Sequence, residues 1–454
     1  MVVSTARVSL LRPGGAARRA GRRVALLARY PARDRAMPQF IPNHGLYMVE
    51  ASLRAARLPG AEIRVWDLEG GGVERVLADL LAYDPDVVGC STYLWSFPFF
   101  VELARRVKED DPARLVVFGG PSARPSMFAL APWRAARAWV DALVINEGEI
   151  SFAAIVAEAE RSPAALARIP GLALSADGGW HETPARPLGD LDELASPYAM
   201  DLVPGSASGL GVLQTYRGCP FTCSFCEWGT MESPRRVRSV EGLCEEFSGI
   251  ARSGVGGALL VDAGLNLNAR AFENLRAAAD RSGFLRERHL ICEVYPAKVK
   301  REHIDFLASA HRPLVGIGLQ SFDNKVLAHV ERSYDEARFE DTLAQLKSVA
   351  GVAIEIILGL PGDTPQNFRA SFERARSLHC ALRVYHCVVL PSALMVRAPP
   401  GYAMDYDPVT LKMRSSPGRS AAALAGAVDD VNAAAAREGG RSGEFLWTFP
   451  PRRR

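Results

Sequence analysis

Between residues 24 and 161 the chain alternates two kinds of hydrophobic pattern. Short uninterrupted apolar runs at 24–28, 63–66, 87–90, 115–118 and 142–145 read as buried strands. Between them, 46–58, 73–81 and 97–108 carry apolar residues every three or four positions, the spacing of helices with one buried face. A strand that is apolar on both faces belongs in a sheet covered on both sides. Strand–helix alternation therefore predicts a doubly wound, Rossmann-like parallel sheet over 24–161.

The same alternation returns over 210–390 with longer spacing. Six strand candidates fall at 212–216, 258–262, 289–294, 314–319, 353–358 and 383–390, with helices at 271–282, 301–308, 334–348 and 364–377. Six strand–helix repeats predict a partial (β/α)6 barrel of TIM type, so the fold class is α/β in both units. Residues 162–209, punctuated by prolines and Gly178-Gly179, read as a small ribbon and an extended connector. The region 391–454 opens loop-like at Pro391, Pro399, Pro400 and Gly401 and closes with a helix near 421–438.

Charge refines this outline. The net charge of +3 over 454 residues is carried by the ends. Residues 1–23 hold six arginines and no acid, and Arg452, Arg453 and Arg454 add three more, so the body is mildly acidic. That argues against a nucleic-acid-binding surface, which needs a basic face. The stretch 1–23 has the Arg-rich, acid-free character of a transit peptide but no sustained helical stripe, so it is expected to be a disordered extension or an over-long start. No apolar stretch reaches the ~18 residues of a membrane span, and no secretory signal is evident. Cys90, Cys244, Cys292, Cys380 and Cys387 are scattered, most of them in apolar segments, which fits a reducing, cytoplasmic setting.

The strand ends carry the candidate chemistry, because open α/β sheets bind ligands beyond the carboxyl ends of their strands. In the first unit these are Ser91, Tyr93 and Trp95 after the third strand, Gly119 and Gly120 after the fourth, and Glu147, Gly148 and Glu149 after the fifth. The glycines allow a bulky ligand close to the backbone, or they serve only tight turns. In the second unit the first strand leads into Cys219, Cys223 and Cys226, a C-x3-C-x2-C loop framed by Gly218, Pro220 and Gly229. Thiolates suit iron–sulfur clusters or zinc. A structural zinc site closes with four ligands, and the next cysteine and histidine are as distant as Cys244 and His289. Three ligands leave one metal position open, as a catalytic cluster requires.

This loop resembles the signature of the radical S-adenosylmethionine (SAM) superfamily, with Phe225 as its aromatic position. The resemblance continues along the barrel. The run ending at Asp262 is similar to the second-strand motif near the methionine amine. Glu293, Gln320, Ser321 and Arg332 match positions that hold the methionine carboxylate or ribose, and the run around Gly359 is similar to the fifth-strand motif beside adenine. A Rossmann-like unit ahead of such a barrel resembles the cobalamin-binding class of the superfamily, over roughly residues 24–430. The resemblance implies three cofactors: a [4Fe–4S] cluster on Cys219, Cys223 and Cys226, SAM, and cobalamin at the strand-end residues named above. No D-x-H-x-x-G signature occurs, so the resemblance implies a cobalt without histidine beneath it. Tyr93 or Trp95 then covers the lower face, or both are core packing.

What the resemblance implies about activity is methyl transfer to an unreactive carbon of a small molecule or natural-product intermediate. One SAM methylates cobalamin, and reductive cleavage of a second yields the 5′-deoxyadenosyl radical. The electrons come from a flavodoxin- or ferredoxin-type donor. The alternatives are a rearranging or cyclising enzyme of the same class, and a non-enzymatic zinc- or cobalamin-binding regulatory module. The segment 402–408 lies near the barrel mouth or caps it.

Overall fold

The computed structural model describes residues 22–32, 41–160, 162–207, 209–230, 236–398 and 401–452. The tail expected over 1–23 falls outside these residues except for Arg22 and Arg23, which instead open the first strand. Pro399 and Pro400 also lie outside them. The described residues form two units. One contains 22–32, 43–189 and 193–203, and the other contains 190–192 and 204–452 together with 41 and 42.

The first unit is built on strands β1 (Arg22–Tyr30), β2 (Ala61–Glu69), β3 (Val87–Ser91), β4 (Leu115–Gly119), β5 (Ala142–Val144), β6 (Leu172–Ala176) and β7 (Gly179–Glu182). Their order in the sheet is β2-β1-β3-β4-β5-β6-β7. β1 to β5 are parallel, and β6 and β7 are antiparallel. The order reverses between β1 and β3, which opens a crevice at their carboxyl ends. Two expectations change. The ribbon expected in a connector is β6–β7, which hydrogen-bonds to β5, so this unit extends well past residue 161. The run in β2 is an edge strand with alternating exposure, because only one neighbour covers it.

The second unit contains β8 (Leu210–Leu213), a short antiparallel ribbon of β9 (Tyr216–Arg217) and β10 (Arg236–Val237), then β11 (Gly257–Leu260), β12 (His289–Val294), β13 (His311–Gln320), β14 (Gly351–Leu358) and β15 (Ala381–His386). A second ribbon, β16 (Asp405–Tyr406) with β17 (Met413–Ser415), precedes β18 (Arg441–Ser442) and β19 (Leu446–Phe449). The sheet runs β18-β19-β15-β14-β13-β12-β11-β8. Six of these strands are the parallel repeats expected from the sequence, in chain order, which is the open (β/α)6 arrangement. β19 and β18 were not anticipated. They add antiparallel strands along β15.

Among the described residues, the five longest helices of this unit start on a side-chain cap that accepts from a backbone N–H of the first turn. Ser239 caps Val240–Arg252, Asn268 caps Ala269–Ser282, Asp335 caps Glu336–Val349, Thr364 caps Pro365–Ser377 and Ser420 caps Ala421–Arg437. Each cap fixes where a strand-end loop stops, and thereby how far that loop reaches over the barrel. No helix among the described residues is long and apolar enough to cross a membrane.

Candidate active site

The cysteine loop is tied down at its start by Asp262, just past β11. One carboxylate oxygen accepts from the Thr215 amide at 2.8 Å and the other from the Thr215 hydroxyl. Tyr216 adds a hydrogen bond from its hydroxyl to the Gly264 carbonyl at 2.9 Å. Gly218 then turns the chain with a φ of 104°, a conformation that disfavours any residue with a Cβ. Within the loop the Cys226 amide donates to the Cys223 carbonyl at 3.0 Å. Burial raises the Asp262 carboxyl to about 7. The residue expected near a methionine amine thus lines the cavity while its oxygens hold the β8 turn.

Cys219, Cys223 and Cys226 share the rim of a cavity of about 190 Å3. Burial, reinforced by the other two sulfurs, pushes the Cys226 thiol up to about 11. Cys219 is raised by burial and by Cys223. Three mutually repelling thiolates in a half-buried loop need a positive group among them, so the donor set fits a metal cluster. Arg332 supplies part of that charge. It donates to the Cys223 sulfur at 3.8 Å and to the Gly318 carbonyl, and its guanidinium lies 4.9 Å from the Tyr295 ring centre. Tyr295 in turn stacks on Phe221 of the cysteine loop at 4.5 Å.

The rest of the cavity is walled by strand ends. Phe225, Glu293, Gln320 and Arg332 line it as the sequence suggested. Gln320 sits at a bulge closing β13, with a φ of 76°, and its amide nitrogen lies 2.7 Å from where a Cβ on Gly318 would be. Glu293 and Glu355 face each other across β13. Burial, reinforced by Glu355, lifts the Glu293 carboxyl to about 8. Arg383 binds Glu355 at 2.9 Å and reaches Glu293 at 3.7 Å, and the Tyr385 hydroxyl donates to Glu355 at 3.2 Å.

Two expected SAM residues are placed elsewhere. Ser321 is buried with its hydroxyl accepting from the Asp323 amide at 3.1 Å and 3.4 Å from the Ser371 hydroxyl, so it shapes the turn after β13. Gly359, with a φ of 96°, packs against Leu424 and Cys387. Sequence reasoning missed Tyr295, Glu355, Arg383 and Tyr385. The charged residues among them could have been found, because a charge inside an apolar strand run needs a partner. It also missed Arg397, whose guanidinium donates to carbonyls of the cysteine loop.

In the first unit, Tyr93 and Trp95 stack at 4.7 Å with an interplanar angle of 11°, and Tyr30 at the end of β1 lies 5.9 Å from Trp95. The Trp95 indole donates to the Arg29 carbonyl at 3.2 Å. Asp67, on β2, accepts from the Asn43 amide at 2.9 Å, and burial raises its carboxyl to about 6. Ser91 and Gly119 end adjacent strands β3 and β4, and a Cβ on Gly119 would meet nothing closer than 4.0 Å. Gly120 differs, since its Cβ would lie 2.8 Å from the Thr92 carbonyl, so it serves close backbone packing. Glu147, Gly148 and Glu149 lead into the helix Glu149–Ala157, where Glu149 is buried. A half-buried aromatic stack just past β3, at the switch point between β1 and β3, fits a large flat ligand.

Comparison with known proteins matches these two sites to two families. The B12 binding domain model matches residues 35–156, and the Radical SAM superfamily model matches residues 213–375. The chain is 32% identical over 347 residues to the 2-(S-pantetheinyl)-carbapenam-3-carboxylate methyltransferase of Streptantibioticus cattleyicolor, covering 71% of this chain and 49% of that protein. It is 30% identical over 333 residues to the cobalamin-dependent radical SAM methyltransferase TokK of Streptomyces tokunonensis, covering 68% and 48%. The chain thus spans about half the length of these curated relatives. Among solved structures, the radical SAM methyltransferase TsrM of Kitasatospora setae, with tryptophan and a SAM analogue bound, superposes with a TM-score of 0.66. The two share 19% identity over 91% of this chain and 89% of that one, a likeness of fold.

Proposed function

The chain belongs to the radical SAM superfamily, in the class that carries a B12-binding domain ahead of the radical SAM core, and from that premise we propose that it methylates an unactivated carbon of a small molecule. The observation that carries the reading is the set of three thiols lining one cavity together with Glu293, Gln320 and Arg332. When bound, a [4Fe–4S] cluster with SAM supplies a carbon-centred radical, and cobalamin supplies the methyl group.

The protein's part is to hold and orient. Cys219, Cys223 and Cys226 hold the cluster. Arg332 and Gln320 offer donors to a carboxylate or to hydroxyls, and Glu293 accepts from an ammonium or a ribose hydroxyl. Phe225 and Tyr295 supply apolar walls that exclude water from a reactive radical. In the first unit, Tyr93 and Trp95 would offer a flat aromatic face to a bound cobalamin. The relatives' names support a small-molecule substrate of the natural-product kind; the electrons are proposed to come from a flavodoxin- or ferredoxin-type donor.

Anaerobic reconstitution tests this. The protein should become brown, hold about four irons and four sulfides, and release 5′-deoxyadenosine from SAM under reduction. Cys223→Ala should abolish that release. A colourless protein holding stoichiometric zinc would refute the enzyme. A product with no added methylene would refute methylation and leave a rearrangement or cyclisation.

A further inference from the structure

After β15 the chain turns back over the cysteine loop. The Ser392 amide donates to the Glu227 carboxylate at 3.0 Å. Five residues later Arg397 spreads its guanidinium over four backbone carbonyls. These belong to Ser392 at 3.1 Å, Thr222 at 3.3 Å, Cys223 at 3.2 Å, and Cys226. Two of the four acceptors belong to cysteines that face the cavity. All of its polar contacts among the described residues are carbonyls, and none of them is with a carboxylate. Neutral acceptors orient a guanidinium without cancelling its charge.

We infer that Arg397 is a positioning residue that raises the reduction potential of the cluster held by Cys219, Cys223 and Cys226. This rests on the reading of those cysteines as cluster ligands. Reduction adds one negative charge to the cluster, and a fixed positive charge beside two of its ligands favours that charge. Arg332, at the Cys223 sulfur, acts from the other side. Reduction is the step that must precede SAM cleavage, so the clamp brings the cluster closer to the range of a cellular donor.

The test is an EPR-monitored redox titration of the reconstituted protein, with Arg397→Met, Arg397→Gln and Arg397→Lys. Iron content and cobalamin binding report on the fold. At the wild-type midpoint, the neutral variants should show at least tenfold less reduced relative to oxidised cluster, a shift of about 59 mV to more negative potential. Arg397→Lys, which keeps the charge, should stay within about twofold. Neutral variants that hold four irons at the wild-type midpoint overturn the proposal. If both neutral variants fold but lose iron, Arg397→Lys decides, and a tenfold shift in that charge-conserving variant overturns it. A wild-type protein that takes up no iron refutes the cluster itself, whereas an unchanged midpoint refutes only the role of Arg397.

Discussion

The Glu293 carboxylate occupies the space that a side chain at Gly316 would need, since an ideal Cβ on that glycine would fall inside the carboxylate. The glycine on β13 therefore lets an acid on β12 reach across the barrel. Gly316→Ala should displace Glu293 and destabilise the fold by about 1–3 kcal/mol through overpacking. Urea denaturation measures the loss. Calorimetric titration with SAM should show weakened binding at unchanged iron content. Wild-type SAM affinity in the variant would show that Glu293 does not face the ligand.

Glu293 also sets a pH dependence. Its carboxyl is raised to about 8 by burial and by Glu355, against about 4.5 when unfolded. A raised folded value means that the native state holds the proton more tightly. The contribution to stability is present below the unfolded value and is lost as pH rises through about 8. Glu293→Gln should remove that loss, so the Tm of the variant minus that of the wild type should grow between pH 5 and pH 9 in the ligand-free protein. A difference that shrinks over this range would mean that the acid is ionised and paired in the native state.

How much of this was legible beforehand differs by element. The parallel strands were readable because burial on both faces makes them continuous apolar runs, as at 24–28 and 115–118. β18 and β19 were not, because a two-residue exposed edge strand and a four-residue alternating strand leave no such run. The cysteine loop was readable because its spacing is local. Glu355 and Arg383 stood out only as charges inside apolar strand runs; that they pair with each other follows from the β14–β15 register, which no local pattern states. Arg397 lies 174 positions from Cys223 in the chain, and no local pattern announces such a partner. The turn role of Ser321 was not readable, because a polar residue at a strand end serves a turn as readily as a ligand.

Trp95 separates two readings of the aromatic stack. If Tyr93 and Trp95 form a face for cobalamin, Trp95→Ala should weaken cobalamin binding about tenfold, equivalent to ~1.4 kcal/mol, with little change in thermal stability. Absorbance titration with hydroxocobalamin measures it. Unchanged binding with a lowered Tm would assign the pair to core packing.

Asp363 and Arg419 form an ion pair at 3.0 Å with side-chain exposures of 3% and 0%. Removing one member of a buried pair strands the other charge. Asp363→Ala should therefore cost about 3–5 kcal/mol in chemical denaturation. Replacing both together, with Asp363→Leu and Arg419→Met, should recover much of that loss. A single variant as stable as the wild type would show that water reaches the arginine.

The antiparallel pairing of β19 with β15 has a consequence for biosynthesis. Leu382 pairs with Phe449 and Val384 with Trp447, and the buried Arg376 guanidinium donates to the Pro450 carbonyl at 2.7 Å. As the chain leaves the ribosome, the six parallel strands emerge first, with the outer edge of β15 bare. That edge is a template for pairing with another nascent chain until residues 446–450 arrive to cover it. The interval is about sixty residues of translation, so chaperone dependence should be concentrated there. A slow codon tract just upstream of β19 would lengthen that exposure, whereas one placed after it would not.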